Sequence, residues 1–252
     1  MAKNYVGVTG FKRPEEVLRV SDIFSRCGFP NDEHTVMYGV LCSANRLLNP
    51  DEQGTISPSL NELPLVVGAA PEGSLPMIHY YSVNTPFYPE VKRVLESGDL
   101  YCSGACRAVQ LNIEWPDIRD VEQLKREMPQ LEIVLQVVPG KQGAEELARK
   151  AEQYYGLVEH LLVDDSRGQG KAMDPLNMAE VLVALRHYMP LVNLGVAGGL
   201  DGENLGNNLR NIRQVYKGPV STDTHRGVRS GNNEYFVYDK VYGYARAARD
   251  SL

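Results

Sequence analysis

Apolar and polar positions along this chain sort into short, nearly continuous apolar runs separated by stretches in which apolar residues recur every three to four positions. The runs are Tyr5–Thr9, Thr35–Cys42, Met77–Val83, Ala108–Ile113, Ile133–Val138 and Glu159–Asp165, with two more inside VNLGVAGGLDGENL and GPVSTDTHRGV. Such runs predict strands buried on both faces. The helical period appears in KRPEEVLRVSDIFSRCG, PEVKRVLESG, IRDVEQLKREMP, QGAEELARKAEQYYG and PLNMAEVLVALRHYMP, and in a closing helix over YFVYDKVYGYARAARD. In the first helix Pro14 suits the first turn, Glu15 and Glu16 suit the positive end of the helix dipole, and Gly28 suits its end. The segment from Ser43 to Pro76 has the weakest pattern. Ser57-Pro58 reads there as the cap and first turn of a helix kept short by Pro64 and Gly68.

Eight β–α alternations without hairpin signals predict a parallel sheet. A doubly wound open sheet would usually have fewer strands and a Gly-rich nucleotide turn after the first, whereas TGFKRPEE carries a single glycine. The expected fold is α/β, a single (β/α)8 TIM barrel over residues 1–252, and the length of 252 residues matches that architecture.

Composition narrows the function. With 43% hydrophobic and 23% charged residues the chain can bury a large core. A net charge of −6 and the lack of any Lys/Arg run argue against nucleic acid or an anionic membrane as the main partner. No apolar run approaches the length of a membrane span, and MAKNYVGVTGF reads as a strand, not as a signal sequence. Cys27, Cys42, Cys102 and Cys106 form neither a disulfide framework nor a paired zinc spacing. A reduced, cytoplasmic protein without a metal is expected, and nothing calls for a cofactor.

In a barrel of this kind the functional residues sit where strands end. Those positions are Thr9 and Lys12, Cys42 and Arg46, Ser82 and Asn84, Asn112 and Glu114, Gln136, Asp164 and Asp165, Gly198 and Gly199, and Asp223 to Gly227. The set suits a small, anionic, polyhydroxylated ligand. The last two βα turns, AGG and THRG, bring free backbone N–H groups and a helix N-terminus to one point, which favours a phosphate monoester and marks the barrel as the phosphate-binding type.

TGFKRPEE after the first strand, SANRL after the second, MIHYYSVN, AVQLN, the loop DSRGQGKAMDP, AGGLDGEN and STDTHRGV together resemble, in order and over nearly the whole chain, the phosphoribosylanthranilate isomerases. These are barrels of tryptophan biosynthesis. The resemblance implies an Amadori rearrangement, which opens an aminated phosphoribose into a 1-amino-1-deoxyketose and needs a general acid and a general base. It implies Asp165 as the acid and Arg46 as the holder of the anthranilate carboxylate. Gly199, Leu200, Arg226 and Gly227 would surround the phosphate, and Gly198 and Gly170, the latter in the Gly-x-Gly-Lys loop, join the expected binding residues. Thr9 stands where the family has its basic cysteine, Asn112 stands in place of a histidine, and His225 and Arg226 replace two serines.

Other readings of these residues stay open. Asp164 and Asp165 are adjacent in a strand, so one faces the mouth and the other faces away. Cys42 suits a small core residue as well as a replacement base, and His79 suits a satisfied core histidine. Glu114 could act as a base at the mouth or pair with Arg119 or Lys125. Tyr235, Tyr238, Tyr242 and Tyr244 suit helix packing or the subunit contact of a homodimer. Two functions follow. One is an isomerase of a phosphorylated sugar-like molecule, or less directly an aldolase or synthase, with Glu114, Cys42 or Asp164 as the base. The other is an inactive binder or sensor of a phosphometabolite.

Overall fold

The computed structural model describes residues 2–54, 56–83, 86–140, 143–164, 166 and 171–252. Its strands are β1 (Asn4–Thr9), β2 (His34–Ser43), β3 (Leu75–Tyr81), β4 (Ala108–Asn112), β5 (Glu132–Val137), β6 (His160–Asp164), β7 (Asn193–Ala197) and β8 (Ser221–Thr224). All pair in parallel with their neighbours in sequence, and β8 returns to β1 with Gly7 opposite Asp223, closing the barrel. The helices α1 (Pro14–Arg26), α2 (Ala44–Leu48), α3 (Leu63–Gly68), α4 (Tyr88–Glu96), α5 (Ile118–Glu127), α6 (Ala144–Glu152), α7 (Pro175–Tyr188), α8 (Leu205–Val215) and α9 (Tyr238–Ser251) flank it. The fold is the (β/α)8 barrel that the alternation predicts. Among the described residues, no helix is long and apolar enough to cross a membrane.

The strand period of two divides each strand between two cores. Val6 and Val8 of β1, Val36 and Val40 of β2, and Val109 and Leu111 of β4 join the apolar layer beneath the helices. Tyr5, Met37, Leu75, Met77, Ala108, Val134, Leu162 and Ala197 form a second cluster inside the barrel. Two residues beyond several of these plugging side chains, on the same inward face, the sequence turns polar. Met77 is followed by His79, Ala108 by Gln110, Val134 by Gln136 and Leu162 by Asp164. The barrel is therefore apolar and filled toward the N-terminal ends of its strands and polar toward the C-terminal ends.

The segment from Ser43 to Pro76 departs from expectation. Ser57-Pro58 does not open a helix; α3 starts at Leu63, with Pro64 inside its first turn, where a missing N–H costs nothing. The start signal is Ser59 with Glu62. The Ser59 hydroxyl accepts the Glu62 N–H at 3.3 Å, and the Glu62 carboxylate accepts the Ser59 N–H at 3.1 Å, a reciprocal cap. The last helix starts at Tyr238, three residues later than its apolar pattern begins, because Phe236 bridges back to Arg229.

Candidate active site

The polar strand ends surround a cavity of about 760 Å3 at the C-terminal mouth. On one wall Thr9 Oγ1 donates to Asp223 Oδ1 at 3.0 Å and lies 3.4 Å from His79 Nε2. This cluster requires glycine at position 39. A Cβ there would fall 2.5 Å from Thr9 Oγ1 and 2.7 Å from His79 Nε2. Burial pushes the Asp223 carboxyl up to about 7; the Asp164 charge adds to the rise, while the bond from Thr9 opposes it. Burial, reinforced by His225, holds His79 down at about 3, so its ring is neutral at physiological pH.

Two strands round the ring from Asp223, in register with Ala197 between them, Asp164 accepts three hydrogen bonds. The Ser166 N–H and hydroxyl reach Oδ1 at 2.9 and 2.7 Å, and Gln136 Nε2 reaches Oδ2 at 2.9 Å. Gln110 Nε2 in turn donates to Gln136 Oε1 at 3.1 Å and to Asn112 Oδ1 at 2.6 Å. Three strands, β4, β5 and β6, are thus tied by one directed chain of side-chain bonds.

Beside this mouth lies a second cavity of about 60 Å3, room for a group of a few heavy atoms, lined by Gly198, Gly199, Leu200, Thr224, Arg226 and Gly227. It shares Asp164, Ala197, Asp223 and His225 with the larger one. The two turns meet backbone to backbone. Thr224 Oγ1 donates to Leu200 O at 2.5 Å, and a Cβ on residue 227 would lie 2.0 Å from that same oxygen. Gly199, at φ 61, adopts the left-handed conformation that glycine tolerates best. The N–H groups of Glu203 and Asn204 leading into α8 donate to Asp201 Oδ1, both at 2.9 Å. Arg226 supplies the side-chain cation of the small cavity. Behind His225, the buried Arg229 guanidinium donates to Gly10 O at 2.7 Å and stacks 4.2 Å from the centre of the Phe236 ring. Burial, with the charges of Arg229 and Arg226, holds His225 down at about 4.

Of the residues singled out from sequence, Thr9, Asn112, Glu114, Gln136 and His225 line the large cavity, and Gly198, Gly199, Leu200, His225, Arg226 and Gly227 line the small one. Glu114 pairs with neither Arg119, which is bound to Asp117, nor Lys125, which is bound to Glu159. Two expectations need correction. Cys42 falls on the outward face of β2, in the layer beneath the helices, where burial pushes its thiol up to about 12. It is a packing residue, not a base. Arg46 donates to Glu52 O at 2.7 Å and stands outside both cavity walls. Asp165 and Gly170 lie outside the described residues. His79, read as a core histidine, borders the cavity, as does Gln110, which the sequence reading passed over. Their signal was the two-residue step from the plug residues Met77 and Ala108. Among the described residues, no group of three or more His, Cys, Asp or Glu is placed to hold a metal ion.

The closed parallel barrel with a polar C-terminal mouth defines the chain as a (β/α)8 protein. The solved structures it is similar to include phosphoribosyl anthranilate isomerases. That of Thermus thermophilus is 17% identical with a TM-score of 0.67, over 97% of both chains. That of Thermococcus kodakaraensis is also 17% identical at 0.67, over 98% of this chain and 99% of that one. A mandelate oxidase shares the architecture more loosely, at 16% identity and a TM-score of 0.53, over 100% of this chain and 73% of that one. No protein-family model and no curated protein matches the chain. The likeness is one of fold, and a barrel hosts many chemistries, so function is argued from the site.

Proposed function

We propose that this barrel binds a phosphorylated, polyhydroxylated small molecule and isomerises it by moving a proton between adjacent carbons. The carrying observation is that Asp164 and Asp223 border both cavities. An ester phosphate seated between the Gly198–Leu200 and Arg226–Gly227 turns places the following carbons between two carboxylates. Among the described residues, the Gly199 and Leu200 N–H groups have no acceptor, which leaves them for the phosphate. No lysine or arginine among the described residues lines the large cavity, whose amides and carboxylates suit hydroxyl groups better than a second anion.

Asp223, titrating near 7, takes and returns protons at neutral pH. It removes the proton from the hydroxyl-bearing carbon beside the carbonyl and returns it to the former carbonyl carbon. The Asp164 carboxylate takes the proton of the neighbouring hydroxyl and delivers it to the former carbonyl oxygen. One proton moves between the carbons, one between the oxygens, and no atoms are gained or lost. The cytoplasm is the protein's compartment in this reading. An aldolase working through a lysine imine is less well supported, because no described lysine lines either cavity.

The second reading is a non-catalytic phosphometabolite binder. Thr9 favours it: a hydroxyl is no free base, and this one already donates to Asp223. One experiment separates the two. Incubation with a panel of aldose phosphates in deuterated water should place deuterium on the carbon beside the carbonyl, and Asp223→Asn should abolish it. Phosphate binding by calorimetry without any deuterium incorporation would leave the binder. Arg226→Ala should weaken inorganic phosphate binding by about 1.5–3 kcal/mol, as expected for a charged hydrogen bond. Unchanged affinity would remove Arg226 from the site.

A further inference from the structure

His225 stands where the two cavities join and borders both. One edge of its ring is packed against Gly10: a Cβ on that residue would fall 2.9 Å from Nε2 and 3.0 Å from Cδ2. The same point lies 3.4 Å from Cζ of Arg229, so the guanidinium flanks this edge. Nε2 is buried and has no hydrogen-bond partner. In an imidazole the atom opposite the Nε2–Cδ2 edge is Nδ1, so the edge turned to Gly10 leaves Nδ1 on the far side of the ring. Among the described residues Nδ1 has no partner in the protein, and unlike Nε2 it is not sealed off. Charge decides which nitrogen carries the hydrogen. Arg229 is buried, and among the described residues only its Nη2, bonded to Gly10 O, has an acceptor. A hydrogen on Nε2 would be a buried donor without an acceptor, set beside a cation, whereas a bare Nε2 offers that cation a lone pair. Neutral His225 therefore carries its hydrogen on Nδ1, the nitrogen left toward the cavities.

We propose that His225, as a neutral imidazole, donates its Nδ1 hydrogen to the phosphate group in the small cavity, and that Arg229 is the positioning residue that fixes the ring in this state. The inference rests on the phosphate reading above and deepens it. Arg226 supplies charge, and His225 supplies a donor whose direction and charge stay constant through neutral pH. The groups acting on the ring are Arg229 and Arg226, which both oppose a second proton, with neutral His79 nearby on β3. Asp164 and Asp223 share its cavities, and Glu16 and Tyr238 act on Arg229 in turn.

Proton–nitrogen correlation spectra of the histidine rings in isotope-labelled protein at neutral pH read this state directly. In wild-type protein the His225 Nδ1 resonance should sit at the protonated position and Nε2 at the bare position. Saturating inorganic phosphate should shift Nδ1 more than Nε2. His225→Phe keeps a ring and removes the donor, and should weaken inorganic phosphate binding about threefold or more by calorimetry. Arg229→Met should release the ring, so that hydrogen appears on Nε2 or the titration of His225 moves up toward the ordinary histidine range. Arg229→Lys retains a cation and should keep the wild-type pattern. The wild-type spectra need no variant to fold. Hydrogen on Nε2, or on both nitrogens, in wild-type protein at neutral pH overturns the inference. So does an Arg229→Met ring that keeps the wild-type pattern and titration. Phosphate binding that neither shifts Nδ1 nor weakens in His225→Phe overturns it while leaving the phosphate reading intact. Absence of phosphate binding by wild-type protein overturns both.

Discussion

Thr9 and Asp223 meet across the seam of the barrel: the hydroxyl at the end of β1 donates to the carboxylate of β8 at 3.0 Å, 214 positions away in sequence. Gly7 permits the meeting, since a Cβ there would come within 3.0 Å of Asp223 Oδ1. The bond opposes the burial that raises Asp223, so it sets where this carboxyl titrates.

Thr9→Val should therefore move the Asp223 titration upward from about 7. A hydrogen bond to a charged group is worth about 1.5–3 kcal/mol, or about one to two pH units. The pH profile of deuterium incorporation, or the carboxyl carbon shift of Asp223, reads the change. Thr9→Ser keeps the donor and should leave the profile in place. An unmoved profile in Thr9→Val would show that the bond does not set the titration.

The raised Asp223 carboxyl also predicts a pH dependence of stability. Its folded value, about 7, exceeds the ordinary aspartate value of 3.8, so the folded state holds this proton more tightly. The contribution is fully present below about pH 4 and is lost as pH rises through 7, amounting to roughly 4 kcal/mol at most. Asp223→Asn removes this dependence. Relative to wild type, the variant should be more stable at pH 8 than at pH 4 by up to that amount, measured by urea unfolding at both pH values. A wild-type minus variant difference that does not vary with pH would contradict the raised value.

Gly227→Ala should damage the small cavity in particular. Its Cβ would sit 2.0 Å from the Leu200 carbonyl oxygen, and neither backbone can yield without opening the paired turns. Phosphate affinity should fall at least tenfold, with a loss of about 1–3 kcal/mol in stability from overpacking. Titration calorimetry and thermal unfolding measure the two effects. Retained phosphate affinity would show that the turns do not form the anion site.

Phosphoribosylanthranilate should be a poor substrate. Thr9 offers no thiolate at the position that the resemblance gives to a base, and Arg46 is directed to Glu52 O, away from the mouth. A fluorescence assay for loss of this substrate should show no useful turnover by wild-type protein. Thr9→Cys should gain measurable turnover, since loss of a general base costs about 10²–10⁴-fold. Robust wild-type turnover would show that Asp223 or Glu114 already serves as the base for that substrate.

Much of this molecule was legible in its residues. The alternation of apolar runs and helical stretches determined a parallel barrel, because buried parallel strands need apolar residues on both faces and a helix to return the chain. The paired turns ending in Gly199 and Gly227 were also legible, since glycine marks the places where backbones must touch. What the tertiary structure decided was the direction and pairing of the side chains between them. A period of two says that neighbouring residues face opposite ways, but only closure of the ring establishes which set faces inward. Closure turned Asp164 and Gln110 to the mouth and Cys42 to the helices. Arg46 was lost to the site by a contact with the loop after α2, and Asp223 acquired its partner Thr9 from the far end of the chain. Such contacts depend on where distant segments come to rest, and no local pattern along the chain encodes that.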